Sequence, residues 1–257
     1  LETQEMRRPP LLGVYPVIEK TCKLKSFFSG NIPPEMTATR RWVLWKSDPI
    51  YEAGKPKVDK DGNPQFGKVP YNAKNDRKAD TTDPSTWSSF DETVVRLNKG
   101  GFDGIGFVLG HDEETGHTFA GVDIDHLETP EDWQRARQVA DKFSSYTEVS
   151  PSDKGVHIII FGKKNGTRCK NSKQNVEIYD HARFFTVTSN VLDGKKLSVN
   201  FREEVLREFY YEIFPDSKAA SSPSTVPFAP SPATPVAVSP NLSDEEIISL
   251  ARNEKEP

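Results

Sequence analysis

Cysteine and long apolar stretches are what this sequence most clearly lacks. Its 257 residues include two cysteines, Cys22 and Cys169, which are too few for a disulfide framework or for a structural zinc site built from cysteines. It contains no run of about 18 apolar residues, the length that spans a membrane, and no secretory signal pattern. We therefore predict a cytoplasmic protein without a membrane partner.

An excess of positive charge is also absent. The chain has 34 Lys and Arg against 38 Asp and Glu, for a net charge of -4, so nucleic acid would have to bind a local basic patch. One candidate patch consists of five basic residues with no acidic residue between them: Lys163, Lys164, Arg168, Lys170 and Lys173. Such a run is either a solvated loop or a surface for a DNA backbone.

Proline, by contrast, is abundant and divides the chain into regions. Residues 1–38 are proline-rich with little periodicity and are predicted to form an extended arm. The Pro-, Ser- and Ala-rich stretch 216–241 is predicted to be a solvated linker. After it, Ser243 and Glu246 form a capping-box pattern that opens a short helix within 242–257. Because the sequence starts at Leu1 rather than Met, we expect it to be part of a longer protein.

Strand-like and helix-like patterns alternate in the remaining region, 39–215. Apolar runs predict strands at 42–45, 105–109, 119–125, 156–161, 176–179 and 184–188, with a hairpin turn at 112–116. Apolar residues at three- and four-residue spacing predict helices at 84–97, 130–143 and 202–214. Strands with short connections, interspersed with helices, predict an α+β domain with a mostly antiparallel sheet.

The most informative segment pairs two acidic residues in an apolar strand. Asp123 and Asp125 are two residues apart in Phe119-Ala120-Gly121-Val122-Asp123-Ile124-Asp125, so both carboxylates point to the same face. Neighbouring carboxylates repel each other, and a divalent cation such as Mg²⁺ or Mn²⁺ between them relieves that repulsion. The alternative interpretation is an edge strand with solvated charges.

A second segment combines a polar turn with a histidine. Ser150-Pro151-Ser152-Asp153-Lys154-Gly155 leads into Val156, His157 and an apolar strand. The turn can offer backbone N–H groups, the hydroxyl of Ser152 and the ammonium of Lys154 to phosphate groups. His157 faces away from Val156, and beside such a turn it can donate to a phosphate oxygen; otherwise it is a structural strand histidine.

A third segment adds another carboxylate and an arginine. Glu177 lies between apolar Val176 and Ile178, so its carboxylate points away from their side of the strand and either completes a metal site or is a surface charge. Arg183 follows in Arg183-Phe184-Phe185-Thr186, and its planar guanidinium suits a triphosphate or the carboxylates around one.

Together, the three segments resemble the archaeo-eukaryotic primase superfamily, in particular the primase-polymerase domains of phages and plasmids. The resemblance follows the order of the motifs and extends upstream through Arg41-Trp42-Val43-Leu44-Trp45 and Gly67-Lys68-Val69-Pro70-Tyr71. It covers about residues 39–190. The LSDEEIISLARN segment is similar to the start of the helical region that leads, in such proteins, to a superfamily 3 helicase.

The resemblance implies roles for individual residues. Asp123, Asp125 and Glu177 would hold two Mg²⁺ or Mn²⁺ ions. His157 would contact the nucleotide phosphates together with Ser152 and Lys154. We add two candidate phosphate ligands, Arg183 and Lys68. The implied substrates are dNTPs or NTPs and a DNA template with its primer, in a bacterial host or viral setting.

One departure from the family pattern leaves alternatives open. Family members commonly have Gly where this chain has Asp153, which adds a negative charge near the expected triphosphate and changes the backbone freedom of the turn. One alternative is therefore a replication-associated DNA-binding module with a degenerate catalytic centre. A second is a metal-dependent nucleotide-sugar glycosyltransferase, since those enzymes also use an Asp-x-Asp strand.

Overall fold

The computed structural model describes residues 27–195 and 197–217, all within Leu1–Ser221, the first of the two units into which the chain divides. The strands are β1 (Trp42–Pro49), β2 (Tyr51–Glu52), β3 (Lys55–Pro56), β4 (Phe66–Tyr71), β5 (Gly104–Val108), β6 (Gly110–His111), β7 (Thr118–Ile124), β8 (Thr147–Val149), β9 (Val156–Phe161), β10 (Lys170–Asn171), β11 (Val176–Tyr179) and β12 (Phe184–Val187). The helices are α1 (Pro34–Thr37), α2 (Phe90–Leu97), α3 (Pro130–Phe143) and α4 (Glu203–Ile213).

The longer strands form two sheets. The first has the order β12-β5-β1-β4, and the second has the order β10-β11-β7-β9-β8, with β6 paired to β7. Every pairing between these strands is antiparallel. The predicted α+β class with mostly antiparallel sheets is therefore confirmed.

An aromatic-rich core joins the two sheets. Trp42, Phe107 and Phe185 of the first sheet belong to the same buried cluster as Phe119 and Phe161 of the second. Phe107 and Phe119 meet edge to face with ring centroids 4.8 Å apart, a geometry that aromatic pairs prefer. One face of each sheet is thus covered by the other sheet.

A second core lies on the opposite face of the second sheet, under α3 and α4, and the sheet contributes aliphatic residues to it. Val122, Ile158 and Ile178 form this layer with residues of both helices. Helix α3 begins where the sequence predicts, because Thr129 caps it: its hydroxyl accepts from the Asp132 N–H, and the Asp132 carboxylate accepts from the Thr129 N–H. With both faces covered, all six residues of β9 are buried.

Several elements differ from the sequence expectations. The helix expected at 84–97 is a 3-10 turn at Pro84–Thr86 followed by α2, since Ser89 starts a new helix with its own capping box. The hairpin around 112–116 is limited to β6 and β7, because β5 turns away into the first sheet. Strand β4 has no counterpart among the strands predicted from apolar runs. Its Pro70 is tolerated because β4 lies at a sheet edge.

The arm expected at 1–38 also differs where it is described. Residues 29–31 form a 3-10 turn and α1 follows it, with Ile32 and Met36 buried in the aromatic core. Predictions for residues 1–26 and 218–257, which include most of the linker and the final helix, lie outside the described residues. Within the described part, no helix has the length and apolar character needed to cross a membrane.

Candidate active site

A row of ionisable side chains crosses the second sheet. Each member lies directly opposite the next on the neighbouring strand, in the order Lys170, Glu177, Asp123, His157, Glu148. Directly opposed residues of adjacent strands share a face of the sheet. The row alternates with apolar positions on the same strands and lies on the side that faces the first sheet.

Asp123 lies at the centre of this row and is largely buried, with 15% of its side chain exposed. Burial raises the pKa of Asp123, and the negative charges of Asp125 and Glu177 raise it further, whereas His157 and Lys68 act in the opposite direction without cancelling the rise. Its Oδ1 has no hydrogen-bond partner among the described residues. A buried carboxylate oxygen without a partner is costly, so this atom is suited to receive a ligand.

Asp125 continues β7 beyond its last paired residue and lies against the polar turn. Its backbone N–H donates to the Asn175 carbonyl at 2.9 Å, which keeps it in line with β11. A Cβ at position 155 would come within 2.7 Å of the Asp125 Oδ1 and 2.8 Å of the Ile124 carbonyl oxygen. Gly155 therefore allows the turn and the second aspartate to approach closely.

The turn itself is held by local hydrogen bonds. The Ser150 N–H donates to the Gly155 carbonyl at 2.8 Å, and the hydroxyls of Ser150 and Ser152 lie 3.0 Å apart. Lys154 extends outward and contacts Glu128 at 3.3 Å. Asp153 has a φ of +57°, in the left-handed region where Gly is favoured and where Asp is tolerated better than most residues.

His157 connects the two sheets. Its Nδ1 lies 3.0 Å from the Thr186 carbonyl of β12, and because a carbonyl only accepts, Nδ1 carries a proton. Its Nε2 lies 3.8 Å from the Asp123 Oδ1. Burial lowers the pKa of His157, but Asp123 and Glu148 together outweigh burial, so the pKa is raised above its ordinary value.

Glu177 lies directly opposite Asp123, but its carboxylate contacts other side chains. Its carboxylate pairs with Lys170, accepts from the Tyr179 hydroxyl at 2.8 Å and lies 3.3 Å from an Arg183 guanidinium nitrogen. Burial raises the pKa of Glu177, but the hydrogen bonds of Lys170 and Tyr179 and the charges of Lys170 and Arg183 bring it below its ordinary value. The predicted third carboxylate is thus adjacent to the aspartates and bound to cations of the chain itself.

The remaining predicted residues lie around this centre. Lys68, on the edge strand β4, has its ammonium 5.8 Å from the Trp45 ring centroid, and its charge acts on both Asp123 and His157. In the basic run, Lys163, Arg168, Lys170 and Lys173 are exposed and Lys164 is half-buried. Three of them have partners of their own: Arg168 stacks over Phe214, Lys170 pairs with Glu177, and the Lys164 ammonium donates to the Gly166 carbonyl at 2.6 Å.

The described side chains do not by themselves form a complete metal site. Among residues 27–195 and 197–217, no three His, Cys, Asp or Glu side chains are grouped as a metal would require. Asp123 and Asp125 fit a divalent cation, because they bring together a buried oxygen without a hydrogen-bond partner and a second carboxylate. Glu177 would join them only by releasing Lys170 or Arg183.

Sequence reasoning missed one member of the row, Glu148. Strand β8, which carries it, is only three residues long and precedes the polar turn, so no apolar run indicated a strand there. Its side chain is fully buried. The alternation Thr147-Glu148-Val149 immediately before Ser150 is the signal that could have found it.

The sequence of this chain is similar to that of a phage protein. No protein-family model matches this chain. Over 179 residues it is 31% identical to the DNA primase-polymerase of Nitratiruptor phage NrS-1. The matched part is 66% of this chain and 22% of the phage protein, so this chain spans only about a fifth of that relative's length. This similarity supports the resemblance that the three motifs indicate, to the phage primase-polymerases of the archaeo-eukaryotic primase type.

Proposed function

We propose that this chain is a template-dependent DNA primase-polymerase domain that adds dNTPs or NTPs to a primer by metal-dependent nucleotidyl transfer. Its setting would be phage or plasmid replication, with a superfamily 3 helicase following in the same polypeptide. The observation that carries the proposal is the pairing of Asp123 with His157 on one side and Glu177 on the other, in a chain related to a phage DNA primase-polymerase.

The metal ligands of the proposal are two carboxylates of the row, Asp123 and Glu177, and the neighbouring carboxylate of Asp125. Asp123 and Asp125 would hold Mg²⁺ or Mn²⁺, with Glu177 as the third ligand once it leaves Lys170 or Arg183. Divalent ions in this place supply charge neutralisation at the phosphates and lower the pKa of a primer 3′-hydroxyl. The chain's own contribution is to hold the two aspartates two residues apart at the end of β7, a strand supported on its other face by the core under α3 and α4.

The phosphate ligands of the proposal surround these aspartates. His157 presents Nε2 on the side of Asp123, while its Nδ1 is held by the Thr186 carbonyl. A histidine whose pKa is raised by neighbouring carboxylates donates from Nε2 to a phosphate oxygen. The turn residues Ser152 and Lys154 would bind the same triphosphate, with Arg183 and Lys68 on its outer side.

The DNA backbone would bind the exposed basic residues. Lys163, Arg168, Lys170 and Lys173 project from the segment that precedes β11, with Lys164 among them. Since Lys170 lies in the row itself, this segment continues directly from the catalytic centre. Contacts of this kind depend steeply on salt, because each neutralised phosphate releases counterions.

Replacing Lys163 and Lys173 by Ala should lower the salt dependence of template binding without changing nucleotide affinity.

The alternatives are less well supported. A nucleotide-sugar glycosyltransferase needs a large parallel nucleotide-binding sheet, whereas both larger sheets here are antiparallel. A degenerate binding module was suggested by Asp153, but the backbone at this position already has the conformation that a glycine would adopt. Asp153 thus adopts the left-handed conformation that the turn uses here without a glycine.

A primer-extension assay tests the proposal. The protein would be incubated with a primed template, labelled dNTPs and Mn²⁺, beside a variant with Asp123→Asn and Asp125→Asn. Extension by the natural chain and none by the folded double variant is the expected result. Glu131→Gln is the matched control, because it removes one exposed carboxylate from α3. Template binding without extension by the natural chain would instead identify the binding module, and transfer of a labelled sugar from a nucleotide donor would identify the glycosyltransferase.

A further inference from the structure

Glu148 is a buried acid that the proposed chemistry does not use. It ends the row of ionisable residues, next to His157, and its side chain is fully buried. An ionised carboxylate in such a position is stable only when its oxygens are fully hydrogen-bonded. The contacts of its two oxygens therefore indicate what Glu148 does.

The two oxygens of Glu148 make different contacts. Oε2 accepts from three donors: the Thr188 N–H at 3.0 Å, the Ser189 N–H at 3.0 Å and the Tyr146 hydroxyl at 2.7 Å. Oε1 accepts from the Thr188 N–H at 3.1 Å and lies 3.5 Å from the His157 Nδ1. One oxygen thus anchors the carboxylate to the segment after β12, and the other faces the imidazole.

The His157 ring is consequently held from three directions. Its Nδ1–H is directed at the Thr186 carbonyl with Glu148 alongside, and its plane lies near the Phe185 ring, with centroids 4.9 Å apart and 30° between planes. Thr186 and Phe185 both belong to β12, and Glu148 is bound to the residues that follow β12. This arrangement leaves Nε2 as the ring nitrogen that faces Asp123.

We propose that Glu148 is a positioning residue that, with the Thr186 carbonyl, fixes the His157 ring so that Nε2 faces Asp123 and the phosphates of the incoming nucleotide. The role toward the nucleotide rests on the proposed function. The orientation of the ring does not, and it is measurable in the protein without substrate.

Glu148→Gln distinguishes the anchoring hydrogen bonds of Oε2 from the contact of Oε1 with His157. The amide oxygen of Gln is expected to take the place of Oε2, where three donors converge, so the NH₂ group takes the place of Oε1. A donor would then face the Nδ1–H of His157, and two donors cannot hydrogen-bond. We expect the ring to move away while the Thr188–Ser189 segment remains anchored.

Two readouts test this expectation. The first is the set of His157 ring signals in NMR spectra without nucleotide, assigned by difference with His157→Asn; Glu148→Gln should shift them and weaken the contacts to Phe185. The second is primer extension, where KM for the nucleotide should rise about tenfold and kcat should change less, as when the supporting partner of a functional histidine is lost.

Ser145→Ala is the matched control for stability. The Ser145 hydroxyl is buried, donates to the Ile159 carbonyl at 2.6 Å and accepts from the Asn200 N–H at 2.9 Å, and it contacts no member of the row. It should lower the melting temperature without moving the His157 signals or KM. Glu148→Asp is the second variant if Gln prevents folding: it keeps the charge but withdraws it from Nδ1, and should shift the ring signals in the same direction.

The outcomes separate the two proposals. Unchanged His157 signals in a folded Glu148→Gln or Glu148→Asp variant would overturn the positioning role and leave Glu148 as a structural anchor. Shifted ring signals together with a raised KM support it. If the natural chain does not extend primers, the proposed function fails, yet the ring signals still decide whether Glu148 orients His157.

Discussion

Two neighbouring rows of the second sheet differ by one residue position and have opposite chemistry. Ile178, Val122 and Ile158 pair across β11, β7 and β9, and so do Glu177, Asp123 and His157 one step along the same strands. The first row packs under α3 and α4, and the second faces the other sheet and the candidate site. Successive residues of a strand face opposite sides of the sheet. Residues that are adjacent in sequence can therefore stabilise the core on one face and provide functional groups on the other.

The largest expected effect is on the charged row, from Asp123→Asn. The variant keeps the shape of the side chain but loses the charge that a divalent ion requires, so primer extension should fall by about a thousandfold or more. The melting temperature should stay equal or rise, because the raised pKa of Asp123 means that burying its charge disfavours the native state. A variant that unfolds would show that this row carries stability too.

The counterpart on the aliphatic row is Ile158→Ala. Ile158 is fully buried, and truncating such a side chain should destabilise the protein by about 2–5 kcal/mol. Denaturant unfolding measures the loss, and extension rates per folded molecule at low temperature should remain near those of the natural chain. A large fall in kcat without a loss of stability would contradict the separation of the two rows.

The turn beside Asp125 should respond to a single methyl group. Gly155→Ala places a Cβ 2.7 Å from the Asp125 Oδ1 and 2.8 Å from a backbone oxygen, which neither can accept without moving. Displacement of a catalytic group by about 1 Å can cost about a hundredfold in rate, and we expect a loss of that order in kcat. Gly116→Ala serves as the control, since its added Cβ meets nothing within 4 Å although its φ of +70° is strained.

Arg183→Ala should have a moderate effect on nucleotide affinity. The Arg183 side chain is about half exposed and contacts Glu177 from the outer side of the row. Losing one charge-assisted hydrogen bond to a phosphate should raise KM for the nucleotide about tenfold. Arg40→Ala is the matched control: Arg40 is also about half exposed and also pairs with a glutamate, Glu92. An equal KM change in both variants would remove Arg183 from the phosphate site.

Asp153→Gly should have the smallest effect. The residue has a left-handed backbone and an exposed side chain, so Gly relieves a small strain but gains freedom in the unfolded chain; stability should change by about 0.5 kcal/mol or less. Removing one exposed negative charge beside the proposed triphosphate site should lower KM for the nucleotide about twofold. A large gain in activity would support the view that Asp153 weakens the nucleotide site.

Much of the fold was predictable because local patterns agreed with the final packing. The strands around Asp123, His157 and Glu177 and helices α3 and α4 fall close to where apolar periodicity and capping residues place them. Strand β4 was not predicted, since Pro70 argues against a strand unless the strand is known to lie at an edge. Whether a strand lies at an edge depends on the arrangement of the whole sheet, so the sequence of that strand alone does not show it.

The site was predictable only in part for the same reason. The order of the motifs indicated Asp123, Asp125, His157 and Glu177 as site residues. The strand register places Glu177, Asp123 and His157 directly opposite one another. The engagement of Glu177 by Lys170 and Arg183 depends on side-chain contacts across strands. The position of Glu148 opposite His157 depends on the pairing of a three-residue strand with β9. Neither this pairing nor the contacts of Glu177 can be derived from sequence spacing.

Gly121 has a consequence for how this family can vary in sequence. It lies two residues before Asp123 on the same face, and a Cβ there would come within 2.4 Å of the Phe185 ring, the same ring that lies beside His157. A larger residue at position 121 is therefore compatible only with a smaller one at position 185, so we expect the two positions to covary. Such a pair of changes would alter one side of the histidine's surroundings while leaving every proposed metal and phosphate ligand in place.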